Sequence, residues 1–339
     1  ALMPEVGLPA VGEFLTWQPG GLTSCTMIVT CQQMQKGEEA AFARGVSAAA
    51  LMEEAGQGIV AVVRQFYSVA GSLVLYLGKG NNAGDALVAA RELRKDGWKV
   101  FGRLCVPPAE MKELPRGHFG DWVEVVEDAR KQVFAPGPVV LLDGLLGIGF
   151  SGEMKADIAA LASEMNDLRQ HQHAHIVAMD LPSGLGARHA VEADVTACVA
   201  QIKDVLVEDG ADRNVGRLAL VPLRELEGIA GDASAMVMTA RCIRGWLPHR
   251  PNDMHKGDTG RVVLIAGSRG FLGAAELACR GALRAGAGLT TLLVKRDAYD
   301  LLAARVPPEV MVKCVTDYRD VLEMKSDALA IGPGLGFDS

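Results

Sequence analysis

Three glycine-bearing segments carry polar side chains of the kind that hold nucleotides and cations. They are residues 78–85 (GKGNNAGD), 143–153 (DGLLGIGFSGE) and 179–184 (MDLPSG). Each follows a short apolar run that is typical of a β-strand. Because ligands of open parallel sheets bind beyond the carboxyl ends of the strands, the three segments are predicted to form one ligand site.

Each segment also has a purely structural interpretation. Glycines in the first segment let backbone N–H groups point at a phosphate, and the helix that follows adds a positive dipole. The same segment is compatible with a tight turn in which Asp85 caps that helix. Asp143, followed by four glycines, suits a site for a cation together with a phosphate or ribose. The same segment is also compatible with a flexible loop. Asp180 precedes a stiff Leu-Pro turn, which suits a carboxylate held in a fixed position. It is also compatible with an aspartate that caps a helix or stabilises a turn.

The elements around these segments alternate between strand and helix. We predict an amphipathic helix over 51–66, with Ser47 as a possible cap. Strands are predicted at 72–77, 98–104, 139–142, 176–179, 193–200 and 216–221, and further helices at 86–95 and 154–168. This alternation predicts an α/β fold with a parallel sheet between two layers of helices.

Taken together, the three segments resemble the NAD(P)H-hydrate epimerase family, which has a GxGNNxGD loop, a DxxxGxG loop and a DxPSG turn in that order. Residues 51–56 (LMEEAG) resemble the family's N-terminal helix, and 193–196 (ADVT) with Lys203 resemble a later segment. The resemblance covers about residues 34–225. It implies a Rossmann-like three-layer fold and interconversion of the R and S hydrates of NADH and NADPH.

The resemblance also implies roles for individual residues. A potassium ion would be held by Asn82, Asp143 and Ser183, and such oxygen ligands suit a hard cation. Asp180 would lie near the hydrated ring as the general acid or base that removes and re-adds water. The hydrated NAD(P)H substrate would be bound by Asn81, Asn82, Ala83, Gly84, Asp85, Gly147, Ile148, Gly149, Phe150, Ser151, Gly152, Glu153 and Asp180.

Three positions depart from the family's usual residues. Ala83 and Ala86 stand where the family commonly has glycine, and an added methyl is expected to crowd a loop that approaches phosphate closely. Ile148 stands where a threonine is usual and removes a hydroxyl. Such changes affect catalysis while the pocket itself is retained. A non-catalytic binding or scaffold module therefore stays open as an alternative function.

A second unit has its own pattern of elements and motifs. Strands are predicted at 261–266, 289–294 and 327–331, and helices at 272–284 and 297–305. Residues 255–261 (HKGDTGR), 273–275 (GAA), 286–288 (GAG) and 332–336 (GPGLG) resemble the ADP- or ATP-dependent NAD(P)H-hydrate dehydratase family. That resemblance implies a ribokinase-like α/β domain that binds ADP or ATP through Ala275 and Gly334. Later motifs of the family are absent, so we expect an incomplete domain that dehydrates nothing alone.

We predict a leader or upstream extension at 1–26, an epimerase domain at 27–227 and a partial dehydratase domain at 228–339.

Composition limits the partners and the location that this protein can have. The net charge of −7, from 34 Lys and Arg against 41 Asp and Glu, argues against nucleic acid as a partner. No apolar run reaches the roughly 18–20 residues of a membrane helix. A basic signal segment is also missing, which predicts a cytoplasmic protein. We expect a homo-oligomer acting on a small molecule.

Overall fold

The structure is a computed structural model that describes residues 26–227, 235–247 and 249–336. It divides the chain into two compact units, Ala1–Trp246 and Leu247–Ser339. The predicted leader lies outside the described residues except for Thr26, which begins the first strand. The predicted boundary at 228 also lies outside them.

The first unit contains a large sheet, a small sheet and the helices that flank them. Its strands are β1 (Thr26–Val29), β2 (Ser72–Leu77), β3 (Lys99–Leu104), β4 (Glu124–Val125), β5 (Val139–Gly144), β6 (His175–Met179), β7 (Val195–Val199), β8 (Ile202–Lys203), β9 (Arg217–Val221) and β10 (Met236–Val237). Its helices are α1 (Cys31–Ala43), α2 (Ala48–Phe66), α3 (Asn81–Lys95), α4 (Glu113–His118), α5 (Ala156–Gln172), α6 (Asp212–Val215) and α7 (Ala240–Trp246).

The large sheet is parallel and its strand order reverses once. The order is β4-β3-β2-β5-β6-β7-β9, and every neighbouring pair is parallel. From β2 the chain moves to β3 on one side and then returns to β5 on the other. A crevice therefore opens between the loops that follow β2 and β5, where open α/β sheets bind their ligands.

Two hydrophobic clusters lie on opposite faces of this sheet. Leu73, Leu75 and Leu77 of β2 pack with residues of α2 and α3, whereas Val74 and Tyr76 pack with residues of α5. This alternation follows from the two-residue period of a strand. Both faces are therefore covered by helices, which confirms the Rossmann-like three-layer fold.

Two helix starts bear on the site. Ser47 precedes α2 and its side chain accepts a hydrogen bond from the Ala50 N–H at 3.4 Å, as predicted for a cap. Helix α3 begins at Asn81, not at residue 86, because Gly80 already serves as its N-cap. The prediction that 81–85 form a loop is wrong, and Asp85 does not cap the helix.

The small sheet carries the first unit beyond the boundary predicted at 228. Its order is β10-β1-β8, and β10 pairs antiparallel with β1. This pairing ties residues 236 and 237 to the first unit, which is why the compact unit extends to Trp246. Helix α1 and strand β1 were not predicted.

The second unit forms a smaller parallel sheet with helices. Its elements are β11 (Arg261–Ile265), α8 (Leu272–Ala285), β12 (Leu289–Val294), α9 (Arg296–Ala303), β13 (Val310–Cys314) and β14 (Ala328–Ile331). The strand order is β13-β12-β11-β14. All predicted elements of this unit are present, whereas β13 was not predicted. In the described ranges of both units, the helices are too short or too polar to cross a bilayer.

Candidate active site

A cavity of about 490 Å³ lies at the reversal point of the large sheet. Eight predicted site residues line it, namely Asn81, Asn82, Asp85, Gly147, Ile148, Gly149, Phe150 and Asp180. Seven other residues also line it, namely Glu38, Lys79, Gly80, Lys112, Leu145, Leu146 and Val199. The cavity thus brings together the loops after β2, β5 and β6, which the sequence predicted to converge.

The amino end of α3 forms one wall of the cavity. Its N-cap is Gly80, which has no side chain to bond the first N–H groups of the helix. These N–H groups and the helix dipole favour an anion. Lys79 and Lys112 line the same cavity and add positive charge. This wall is suited to a phosphate group.

Some predicted substrate contacts do not line the cavity. The methyls of Ala83 and Ala86 are fully buried in the core cluster beneath α3, so the crowding expected from the sequence does not occur. Gly84 is buried beside Met52, where an added Cβ would lie 2.4 Å from the Met52 sulfur.

The loop after β5 departs from the prediction in the same way. Ser151, Gly152 and Glu153 are exposed and do not line the cavity. Ile148 does line it and also packs against the cluster around α1. In the described cavity, the lining residues from this glycine loop therefore belong to its first half.

Asn82 joins the loops that follow β5 and β6. Its side-chain nitrogen donates to the carbonyl oxygens of Leu146 at 2.7 Å, Met179 at 3.2 Å and Asp143 at 3.5 Å. Three backbone oxygens therefore converge at the first turn of α3. These hydrogen bonds fix the two loops relative to each other. They also bring several backbone carbonyl oxygens close together where the loops meet.

Asp143 is fully buried beneath the cavity and does not line it. Its carboxylate accepts hydrogen bonds from the Ser183 hydroxyl at 2.6 Å, the Ser183 N–H at 2.7 Å and the Leu145 N–H at 3.3 Å. Burial raises its pKa to about 6, although the bonds from Ser183 and Leu145 act in the opposite direction. No cationic side chain of the described residues pairs with it. A buried carboxylate with hard oxygen neighbours fits a cation such as potassium.

Asp180 is held at the cavity by a buried lysine. The ammonium group of Lys203 on β8 donates to the Asp180 carboxylate and, at 2.7 Å, to the Val199 carbonyl. The Val199 N–H also donates to this carboxylate, at 3.2 Å. Asp180 has φ of +68°, a left-handed conformation that is uncommon outside glycine. The carboxylate is therefore fixed in position by β7 and β8.

Two further carboxyl groups line the cavity with Asp180. Burial, and then the charge of Asp180, raise the pKa of Glu38 on α1, which Lys203 opposes. Burial, and then the charges of Asp180 and Glu38, raise the pKa of Asp85 well above its usual range. The cavity therefore favours the neutral form of Glu38 and Asp85 beside the lysine-paired Asp180.

Lys203 and Glu38 were not predicted as site residues. Lys203 was noted only as part of a family motif, and nothing in its spacing indicated a contact with Asp180. Glu38 did leave a signal, because it shares one helical face with the buried Met34 and Ala41 at spacings of four and three. An acid within an apolar helix face is a candidate functional residue.

In the second unit, glycine loops meet at the start of α8. Gly334 has φ of +68°, and an added Cβ would lie 2.7 Å from the Phe271 carbonyl oxygen. Its own carbonyl accepts a hydrogen bond from the Ser268 hydroxyl at 2.8 Å. Ala275 is fully buried, and an added Cβ on Gly267 would lie 2.7 Å from its methyl. The loops after β11 and β14 are thus closely joined, with Ala275 beneath them.

Clusters of three or more His, Cys, Asp and Glu side chains that suit a transition metal are absent from the described residues. His171 lies in α5, His173 ends that helix and His175 begins β6. Their alternating spacing in the sequence would place them on one face of a strand, but the structure divides them between a helix, its end and the next strand.

The fold and the site define an α/β protein with a nucleotide-type cavity at the reversal point of a parallel sheet. Residues 48–205 match the family model of YjeF-related protein N-terminus, and residues 262–339 match that of NAD(P)H-hydrate dehydratase. The bifunctional NAD(P)H-hydrate repair enzyme Nnr of Gloeobacter violaceus is 33% identical over 93% of this chain and 66% of its own length. The chain belongs to this bifunctional NAD(P)H-hydrate repair family.

Two solved structures are also similar. A yeast protein is 20% identical over 52% of this chain and 81% of its own, with a TM-score of 0.42. The ADP/ATP-dependent NAD(P)H-hydrate dehydratase of Bacillus subtilis, co-crystallised with ATP and Mg²⁺, is 36% identical over 26% of this chain and 33% of its own, with a TM-score of 0.24. The chain spans about two thirds of the length of its curated relatives.

Proposed function

We propose that the first unit interconverts the R and S hydrates of NADH and NADPH. The observation that carries this proposal is the pairing of Asp180 with the buried Lys203 at a cavity whose other wall is the amino end of α3. One wall suits the phosphates of a dinucleotide, and the other presents a fixed carboxylate to its ring.

Asp180 is the proposed general acid or base of the reaction. Epimerisation of a hydrated ring requires loss of water from the carbon that bears the hydroxyl and return of water to its other face. A carboxylate at hydrogen-bond distance from that oxygen can accept or return the proton. Lys203 keeps Asp180 in place and offsets the cost of its charge.

The substrate's phosphates and ribose are proposed to contact the cavity through Asn81–Asp85 and the glycine loop after β5. Asn81, Asn82 and Asp85 line the described cavity, as do Gly147, Ile148, Gly149 and Phe150. Contacts by Ala83, Gly84, Ser151, Gly152 and Glu153 stay predictions from the resemblance. The homo-oligomer and the cytoplasmic location stay predictions from the sequence.

We also propose that Asn82, Asp143 and Ser183 hold a potassium ion. The buried Asp143 carboxylate and the carbonyl oxygens around Asn82 supply the oxygen donors that such a cation prefers. The ion would fix the loops after β5 and β6 relative to α3. The chain's own residues perform the proton transfer.

For the second unit, we propose binding of ADP or ATP at the loops that contain Gly334 and cover Ala275. We propose further that the residues of this sequence do not complete a dehydratase. In the described unit, β14 is an edge strand on which Leu329 and Ile331 are 44% and 59% exposed. Incubation with the S hydrate and ADP or ATP tests this, since formation of NADPH would contradict it.

The direct test of the main proposal uses the purified chain and the pure R hydrate of NADPH. Chromatography that separates the two epimers should show the S hydrate accumulating above the uncatalysed rate. Asp180→Asn should lower the rate by about 10²–10⁴-fold, the usual contribution of general acid–base catalysis. Substrate binding without any epimerisation, at every potassium concentration, would instead favour the binding-module alternative.

A further inference from the structure

We propose that Glu38 is a second catalytic carboxyl of this cavity, which protonates the departing hydroxyl while Asp180 serves as the base. This inference rests on the proposed epimerase function and assigns a residue outside the matched family region, which begins at residue 48. Glu38 lies on α1, in a part of the chain where the sequence predicted no helix.

Helix packing brings Glu38 to the cavity. Met34 and Ala41 on the same face of α1 are buried in a cluster that also contains Leu51 and Ala55 of α2. Because Glu38 lies between them on that face, it points inward with the apolar residues, and it lines the cavity. A carboxyl on the buried face of a helix is costly as a charge unless it is paired.

The carboxyl groups of Glu38 and Asp180 lie in different charge environments. Asp180 forms an ion pair with Lys203, whereas Glu38 has no ion pair or hydrogen bond within the described ranges. The titratable groups near Glu38 are Asp180 and Lys203, together with Asp85 on α3. Burial and Asp180 favour the protonated form of Glu38. A carboxyl whose neutral form is favoured and a carboxyl paired with lysine therefore face the same cavity.

Two lysines complete the charged lining of the cavity. Lys79 follows β2 and Lys112 precedes α4, and both lie at the wall formed by the amino end of α3. A bound dinucleotide phosphate would neutralise this wall. Their charge is therefore directed at the substrate's phosphates, and Lys203 remains the cation paired with Asp180.

The proposed step balances without any further reactant. Glu38 gives its proton to the hydroxyl oxygen, the C–O bond breaks, and the oxygen leaves as water with the bonding pair. The ring nitrogen's lone pair then forms a C=N bond. Water adds to the other face of that carbon, the C=N pair returns to nitrogen, and Asp180 takes the proton. Asp180 then releases its proton to solvent and solvent returns one to Glu38, and the reverse reaction uses the same groups with exchanged roles.

The test compares Glu38→Gln with Glu39→Gln in the full chain. Glu39 is the exposed neighbour on the same helix, so it controls for charge removal on α1. Glu38→Gln should lower kcat by about 10²-fold or more, with KM within about threefold, because a proton is lost but not a binding surface. Glu39→Gln should match the wild-type chain.

The pH profile of kcat distinguishes proton donation from a structural role. The wild-type rate should fall on the alkaline side as Glu38 loses its proton, and Glu38→Gln should lose this limb. Glu38→Asp, which keeps a shorter carboxyl, should retain part of the rate together with the limb. A thermal melt checks that each variant is folded.

The outcomes separate the two proposals. If the wild-type chain epimerises the hydrate and Glu38→Gln keeps its kcat and its alkaline limb, Glu38 is not the acid and the epimerase function stands. A Glu38→Gln variant that changes KM alone likewise overturns the role in proton transfer. If the wild-type chain does not epimerise at all, the proposed function and this inference both fail.

Discussion

Lys203 donates to Asp180 although its side chain is only 1% exposed, and the two residues lie on opposite sides of strand β7 in the sequence. The Asp180 side chain is 13% exposed and reaches the cavity. The buried ammonium group of Lys203 therefore holds this reachable carboxylate in position through an ion pair. The Lys203–Asp180 ion pair therefore contributes both to the stability of the first unit and to its proposed chemistry.

Lys203→Met should therefore reduce both stability and activity. Removal of one partner from a buried ion pair typically costs about 3–5 kcal/mol, which denaturant unfolding will measure. The double variant Asp180→Asn with Lys203→Met should be more stable than Lys203→Met alone, since no unpaired charge is left buried. Equal stability of the single and double variants would show that the pair is not coupled. Lys36→Met on the exposed side of α1 is the matched control.

Potassium should raise the melting temperature of the chain. A ligand at 100 times its Kd stabilises the folded state by about 2.7 kcal/mol, which in a unit of this size corresponds to a shift of roughly 5–10 °C. Melts in potassium chloride and in choline chloride at equal ionic strength measure the difference. Asp143→Asn should abolish the difference. Identical melting temperatures of the wild-type chain in the two salts would contradict the potassium site.

Asp85→Asn should change stability in a way that depends on pH. The pKa of Asp85 is higher in the folded than in the unfolded chain because of burial and of the charges of Asp180 and Glu38. The folded state then binds more protons, so the wild-type stability falls as pH rises through the unfolded value. The variant should be more stable than the wild-type chain at pH 8 and nearly equal to it near pH 3.5.

Denaturant unfolding at the two pH values checks this prediction. Asp121→Asn, at an exposed carboxyl, controls for the loss of one negative charge. A stability difference between Asp85→Asn and the wild-type chain that is the same at both pH values would mean that Asp85 is not the titrating group.

Gly56→Ala should weaken the packing of α2 on α3. An added Cβ would lie 2.3 Å from a methyl of Val88 and 3.2 Å from the Ala89 nitrogen. Because the second contact is backbone, the helices must separate, at a cost of about 1–3 kcal/mol. Gly117→Ala, at an exposed position of α4 where an added Cβ meets nothing within 4 Å, should instead be neutral or stabilising. A Gly56→Ala variant as stable as the wild-type chain would contradict this helix contact.

The sequence by itself determined the order of the elements and the edge at which the ligand loops meet. Apolar runs such as 72–77, which alternate with helical segments and are followed by glycine-rich turns, predict a parallel sheet, because strand and turn patterns are local properties. The same locality explains the errors. Asn81–Asp85 read as a loop because the glycines around them are common in turns, yet Gly80 alone serves as the cap of α3.

Only the tertiary structure decided which side chains share the cavity. Asp143 lies at the end of β5 and Asp180 follows β6, but the first lies under the loops with Ser183 and the second faces the cavity with Lys203. Glu38 reaches the same place from a helix ahead of the sheet. Burial and charge arise from contacts between segments far apart in the chain, and no local pattern encodes them. The charge environment of each carboxyl is therefore set by the tertiary structure.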